Sequence, residues 1–147
     1  MKVEIQIDPS LDEPVAVLRS PSPTEEVEAL AARLRGEAVP QPFTVYRERE
    51  AARVSRSMVL RFYAEDKGVL CQTGTGTFTV RQRLYELEEA LAGTRFVRVS
   101  NSEIVNLDRV TGLDLTLAGT IKMTLEDGTV CWVSRRYVKK IRSALGL

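Results

Sequence analysis

From Phe43 onward the chain breaks into short apolar stretches, each closed by a turn signal. No feature constrains the fold more. Stretches this short bury one face at a time, so they must pair with one another as strands. Residues 43–46 and Arg53-Val54 flank a charged turn. Residues 58–64 read as a strand, residues 65–68 as a turn, and residues 69–73 as the returning strand. Gly74-Thr75-Gly76 turns again into residues 77–81. Leu84, Leu87 and Leu91 then switch to helical spacing, and Gly93 stops that helix. Residues 95–99 are extended, and residues 106–109 fit a single helical turn, with Asn106 as its cap. Residues 110–117, 121–125 and 130–133 alternate as three strands, with Ala118-Gly119 and Asp127-Gly128 at the hairpin turns. Ser134 caps a last helix in which Tyr137, Val138, Ile141 and Leu145 face the core. The fold class expected is mainly β with peripheral helices (α+β).

The first 39 residues follow a different pattern. Val3, Ile5 and Ile7 alternate with Lys2, Glu4 and Gln6, the mark of a half-buried strand. Val15, Val17 and Leu18 suggest a second one. Ser22-Pro23-Thr24-Glu25 then reads as a helix start, with Ser22 as cap, Pro23 at the first helical position and Glu25 closing a capping box. Val27, Leu30, Ala31 and Leu34 form the apolar stripe, and Gly36 ends the helix. Pro40-Gln41-Pro42 marks a boundary. Two domains are expected: a ββα appendage over residues 1–39 that mediates dimerisation or regulation, and a β-rich domain over residues 40–147.

Composition narrows the chemistry. The chain has 147 residues, enough for one ordinary domain and a short extra element. It contains no histidine, which removes the Ser-His-Asp triad, the Cys-His pair and His-bearing zinc sites. Two cysteines, Cys71 and Cys131, are too few for a disulfide scaffold or a Cys-only zinc site. Both fall in predicted strands, where a buried inert thiol is the common case. A redox pair would need them on facing positions. The acidic residues Glu65-Asp66 and Glu86, Glu88 and Glu89 read as turn and helix-surface charge, so no enzyme activity is expected, and no cofactor, metal or small-molecule substrate. The N-terminus has no signal-peptide core and Arg61 interrupts the apolar run at residues 58–63, so a cytoplasmic protein is expected. A formal net charge of +1 conceals an asymmetry: 10 acidic against 6 basic side chains in residues 1–50, and 10 against 15 in the remainder. After Trp132 come Arg135, Arg136, Lys139, Lys140 and Arg142 without one acid. The C-terminal two-thirds suits a polyanion and the N-terminal third does not.

Several separated strings then agree. Arg61-Phe62-Tyr63-Ala64-Glu65-Asp66 is followed by the run Leu84 to Gly93. Next comes Phe96-Val97-Arg98-Val99-Ser100-Asn101-Ser102-Glu103-Ile104-Val105-Asn106, then Asp127-Gly128 and Ser134-Arg135-Arg136-Tyr137. In order and spacing this resembles the LytTR family of bacterial DNA-binding domains, over roughly residues 43–147. The resemblance implies small antiparallel sheets whose loops enter the DNA grooves in place of a recognition helix. It departs from the family at Ser100, where a histidine is usual. Most family members also carry a phospho-receiver domain, for which 39 residues are too few, since a doubly wound sheet needs about 100. The chain is similar to short stand-alone members, which tend to be encoded beside a small membrane protein.

The site residues expected from this resemblance are Lys67, Arg98, Ser100, Asn101, Ser102, Ser134, Arg135, Arg136 and Lys139. Arg135 and Arg136 lie in the first turn of a helix, where cations oppose the helix dipole. They are either tolerated surface charge or, with the exposed N–H groups, a reader of phosphate and a base edge. Arg136 matches a base-contacting position of the family. Asn101 is either a turn residue bonded to its own backbone or an amide that pairs with adenine. Lys67 is a solvated hairpin tip or, as the family implies, a groove contact. Arg98, Ser100 and Ser102 serve the phosphate backbone or the loop itself. Lys139, Lys140 and Arg142 add sequence-independent contacts or form the wet face of the helix. The function expected is a sequence-specific transcriptional regulator that binds double-stranded DNA as a homodimer. The competing reading is an interaction module that pairs through its N-terminal strands with itself or a membrane-anchored partner.

Overall fold

The structure is a computed structural model and describes residues 1–36, 41–116 and 119–147. Ten strands form two antiparallel sheets, with three helices at their periphery. Helix α1 spans Glu25–Arg35, α2 Leu84–Ala90 and α3 Arg135–Leu145. The larger sheet holds β1 (Phe43–Arg47), β2 (Glu50–Val54), β3 (Val59–Glu65), β4 (Gly68–Thr73), β5 (Thr77–Val80), β6 (Phe96–Ser100) and β7 (Glu103–Asn106). Their spatial order is β2-β1-β5-β4-β3-β7-β6. The smaller sheet holds β8 (Val110–Leu115), β9 (Ile121–Leu125) and β10 (Val130–Val133), with β9 in the middle.

Strand alternation places a separate core on each face of the larger sheet. Phe43, Phe62, Cys71, Ile104 and the α2 leucines Leu84 and Leu87 fill one. Edge-to-face packing of Phe43 on Phe62, ring centroids 4.9 Å apart, adds to it. Leu60, Val99 and Val105 point the other way, onto Ile121, Met123, Cys131 and Ile141 from the smaller sheet and α3. As expected, Tyr137, Val138 and Leu145 pack against this second core with Ile141.

The strand pattern from residue 43 onward therefore holds, with one addition. Residues 103–105, which the sequence pattern assigns to no element, form β7 together with Asn106 and pair with β3 and β6. Asn106 is the expected structural cap: its Oδ1 accepts from the Asp108 N–H at 3.1 Å and its Nδ2 donates to the Val59 carbonyl at 2.9 Å. Asp127-Gly128 forms its turn, with Gly128 at φ 88°, where a Cβ is strained. Ala118 and Pro40, placed at a hairpin turn and at the boundary, lie outside the described residues.

The N-terminal expectation needs two corrections. Residues 2–8 and 15–18 carry no strand. Val3, Ile5 and Ile7 are 80%, 85% and 85% exposed, so their alternation meets no partner surface among the described residues. An isolated strand pair is marginal in water, and nothing here covers it. The helix starts later than expected. Thr24, not Ser22, is the cap, because its hydroxyl accepts from the Val27 N–H at 3.3 Å. Gly36 closes the helix at φ 74°, as its sequence position suggested. Ala32 is the buried residue of α1, while Leu34 of the expected stripe is exposed. Glu28 ties α1 to the β domain by accepting from the Ser55 hydroxyl at 3.0 Å.

Candidate nucleic-acid interface

Three short segments carry seven of the nine expected site residues, and two backbone hydrogen bonds tie them together. Lys67 is exposed in the β3–β4 turn, where Asp66 takes φ 53°. Ser100, Asn101 and Ser102 form the β6–β7 turn. Ser134, Arg135 and Arg136 begin α3. The Ala64 N–H, at the end of β3, donates to the Ser102 carbonyl at 2.8 Å. The Ser134 N–H donates to the Val99 carbonyl at 2.8 Å. Hairpin, turn and helix start thus become neighbours, although each is more than thirty residues from the next in sequence.

The β6–β7 turn is held from inside. Ser100 Oγ accepts from the Ser102 N–H at 3.2 Å and lies 3.2 Å from Ser102 Oγ. Arg98 donates to the carbonyls of Ser100 and Asn101 and forms an ion pair with Glu88 of α2. Asn101 itself is exposed, and its side-chain amide makes no hydrogen bond among the described residues. Of the two readings of Asn101, the turn that satisfies itself is not what is found: its carbonyl is bonded, its amide faces water.

At α3 the first turn holds two cations and no acid. Ser134 occupies the cap position but its side chain makes no capping bond, so its hydroxyl is uncommitted and the first-turn N–H groups lack that partner. Arg136 leans over the Tyr137 ring, its guanidinium carbon 5.6 Å from the centroid. Arg135 and Lys139, with Arg142 one turn further on, line an open groove of about 620 Å³ floored by Val138 and Leu147. Lys140 is exposed outside that groove.

A polar network fixes the two sheets to each other behind these segments. Arg61 of β3 pairs with Glu103 of β7 at 2.7 Å, both side chains less than one-fifth exposed. Its Nε donates to Gln72 Oε1 at 2.7 Å, and Gln72 Nε2 reaches Asp127 Oδ2 and Thr129 Oγ1 of the smaller sheet's turn, each at 2.7 Å. Burial opposes ionisation of Asp127, but hydrogen bonds from Thr129 and Gln72 outweigh it and hold the carboxyl below its ordinary 3.8. Sequence reading missed this network. In the sequence Arg61 is a break in an apolar run and the start of one family string, and nothing about it or Gln72 points across to the other sheet. Glu88 likewise read as helix-surface charge. The two thiols are buried in different cores, one on each face of the sheet. Burial pushes each up to about 12, the Glu103 carboxylate adding to the effect at Cys131. They are the inert pair expected, not a redox pair.

Comparison with known proteins agrees with this architecture. Residues 49–146 match the profile of the family described as the LytTr DNA-binding domain. The chain belongs to the LytTR family of DNA-binding domains. It is 30% identical over 147 residues to uncharacterized HTH-type transcriptional regulators of Staphylococcus aureus strains NCTC 8325 and COL, covering all of this chain and 99% of theirs. A solved LytTr DNA-binding domain from Bacillus cereus superimposes with a TM-score of 0.69 at 25% identity, over 74% of this chain and 99% of that one. The relatives are named for a helix-turn-helix, yet five strands lie between α1 and α2 and five more between α2 and α3. Among the described residues no two helices are consecutive, so a helix-turn-helix is not how this chain is built.

Proposed function

We propose that this protein is a cytoplasmic, sequence-specific regulator of transcription that reads the major groove of double-stranded DNA through turns of its β domain. The observation that carries the reading is the junction of the Lys67 hairpin, the Asn101 turn and the Arg136 helix start. Lysine, asparagine and arginine each have a matching base edge or phosphate, and Arg is the natural two-pronged reader of guanine O6 and N7. Ser100, Ser102 and Ser134 offer hydroxyls to the phosphates alongside, and Arg135 and Lys139 add charge contacts that carry no sequence information. The names of the Staphylococcus relatives support the regulatory role. Random-sequence DNA selection with the purified protein tests it: a short common motif is expected, and recovery of unrelated sequences would remove sequence specificity.

The exposed alternation of Val3, Ile5 and Ile7 favours a second reading alongside the first. This segment pairs with its counterpart in a second copy, giving a homodimer, or with a small membrane-anchored protein. A dimer returns two spaced half-sites in the same selection. A single half-site, with a monomer in sedimentation, would leave the membrane partner as the occupant of that segment.

A further inference from the structure

We propose that Arg98 is a positioning residue, which sets the 100–102 turn for base reading by bracing it against α2 and makes no contact with DNA. The proposal rests on the DNA-binding reading above. Of the two roles expected for Arg98, the phosphate backbone or the loop itself, it takes the second.

The β6–β7 ladder slips between Arg98 and Ser100, which leaves Val99 without a partner residue in the register, and three successive carbonyls follow into the turn. Each is satisfied from outside. Val99 O accepts from the Ser134 N–H at 2.8 Å. Ser100 O accepts from Arg98 Nε at 2.7 Å, and Asn101 O from Arg98 Nη2 at 2.6 Å. The remaining terminal nitrogen, Nη1, meets Glu88 Oε2 at 3.2 Å. All three guanidinium nitrogens are therefore engaged, and the side chain is only 13% exposed. Glu88 lies on α2, whose Leu84 and Leu87 are anchored in the first core. The brace thus runs from that core through Glu88 and Arg98 to the carbonyl of the residue whose amide faces outward. A planar fork reaches two carbonyls and a carboxylate at once, and an ammonium does not.

The experiment uses the full chain and the site returned by selection, with Arg98→Lys and Arg98→Gln measured on that site, on random DNA, and across salt. Arg98→Lys keeps the charge and loses the fork. It is expected to bind the preferred site about tenfold more weakly while random DNA is bound as before, since one displaced base contact is worth that much. Arg98→Gln is expected to keep the wild-type slope of log K against log salt. A phosphate contact would instead lower that slope by about 0.9. Wild-type affinity in Arg98→Lys, or that drop in slope in Arg98→Gln, overturns the proposal. Thermal unfolding confirms that each variant is folded, and Arg98→Lys alone decides the matter if Arg98→Gln is not. A wild-type protein that selects no sequence overturns the DNA reading itself, whereas selection by wild type and Arg98→Lys alike removes only the role of Arg98.

Discussion

Arg136 stands exposed in the first turn of α3, packed over Tyr137 and without an acidic partner among the described residues. A cation at a helix start is costly by roughly 0.3–1 kcal/mol, so its place there suits a ligand better than it suits the fold. Arg136→Ala should therefore weaken binding to the preferred site by about 1–3 kcal/mol and relax discrimination at one base pair. The melting temperature should stay put or rise slightly. Arg136→Lys should not rescue, since an ammonium lacks the two-pronged geometry. A loss of stability with binding intact would make Arg136 a structural residue. The thiols give the opposite expectation. With both pushed up to about 12 by burial, an alkylating reagent at about pH 8 should leave Cys71 and Cys131 unmodified until the protein unfolds. Mass spectrometry before and after denaturant reads this directly. The residue types at the site were legible in the sequence, because helix starts and hairpin tips announce exposure. The partners of Arg98 were not, since two of them are backbone carbonyls that only the slipped ladder turns toward it.

The link between the sheets is carried by the network from Glu103 through Arg61 and Gln72 to Asp127. Arg61→Ala leaves the half-buried Glu103 carboxylate without its partner and should cost roughly 3 kcal/mol in denaturant unfolding, the lower range for breaking such a pair. Asp127 adds a pH dependence of known sign. Its folded pKa is below 3.8, so its contribution is complete above that value and fades as pH falls through the lower, folded one. Wild type should exceed Asp127→Asn in stability near neutrality, and the two acid-unfolding curves should converge below about pH 3.8. Strands from residue 43 onward were readable because alternation and turn residues coincide there. Residues 2–8 alternate just as well, yet form no strand. Alternation shows that a face is suited to burial, but whether the burying surface belongs to the same chain is a property of the tertiary fold. The helix cap was misplaced for a smaller reason: Ser22 and Thr24 both flank Pro23, and only the local backbone decides which hydroxyl reaches a free N–H.

At the scale of the whole molecule, charge is uneven along the chain, with 10 acidic against 6 basic side chains in residues 1–50 and 10 against 15 in the remainder. Helix α1 is hydrogen-bonded to the β domain through Glu28 and Ser55, while Arg135, Arg136, Lys139, Lys140 and Arg142 gather on α3. Removal of residues 1–39 should leave a folded domain that binds DNA as a monomer, with dimeric binding lost. Sedimentation showing a dimer after truncation would contradict this. Affinity of the intact protein should fall steeply with salt, by about 0.9 in slope for each phosphate neutralised. Affinity that is flat in salt would exclude the phosphate backbone as a partner.

The hydrogen bond from the Ser134 N–H to Val99 joins β6 to the start of α3, the last of the described elements to be synthesised. A nascent chain that has emerged through β10 can pair most of its strands, but Ile141 has not yet covered Leu60, Val99 and Ile121. Until α3 clears the ribosome, the second core, already faced by the smaller sheet, lacks the cover of Ile141, an opening for chaperones or for mispairing. The same event sets the Ser134 N–H on the Val99 carbonyl, two residues before Asn101. A translation product interrupted before α3 lacks Arg135 and Arg136 and leaves Leu60 and Val99 without the cover of Ile141.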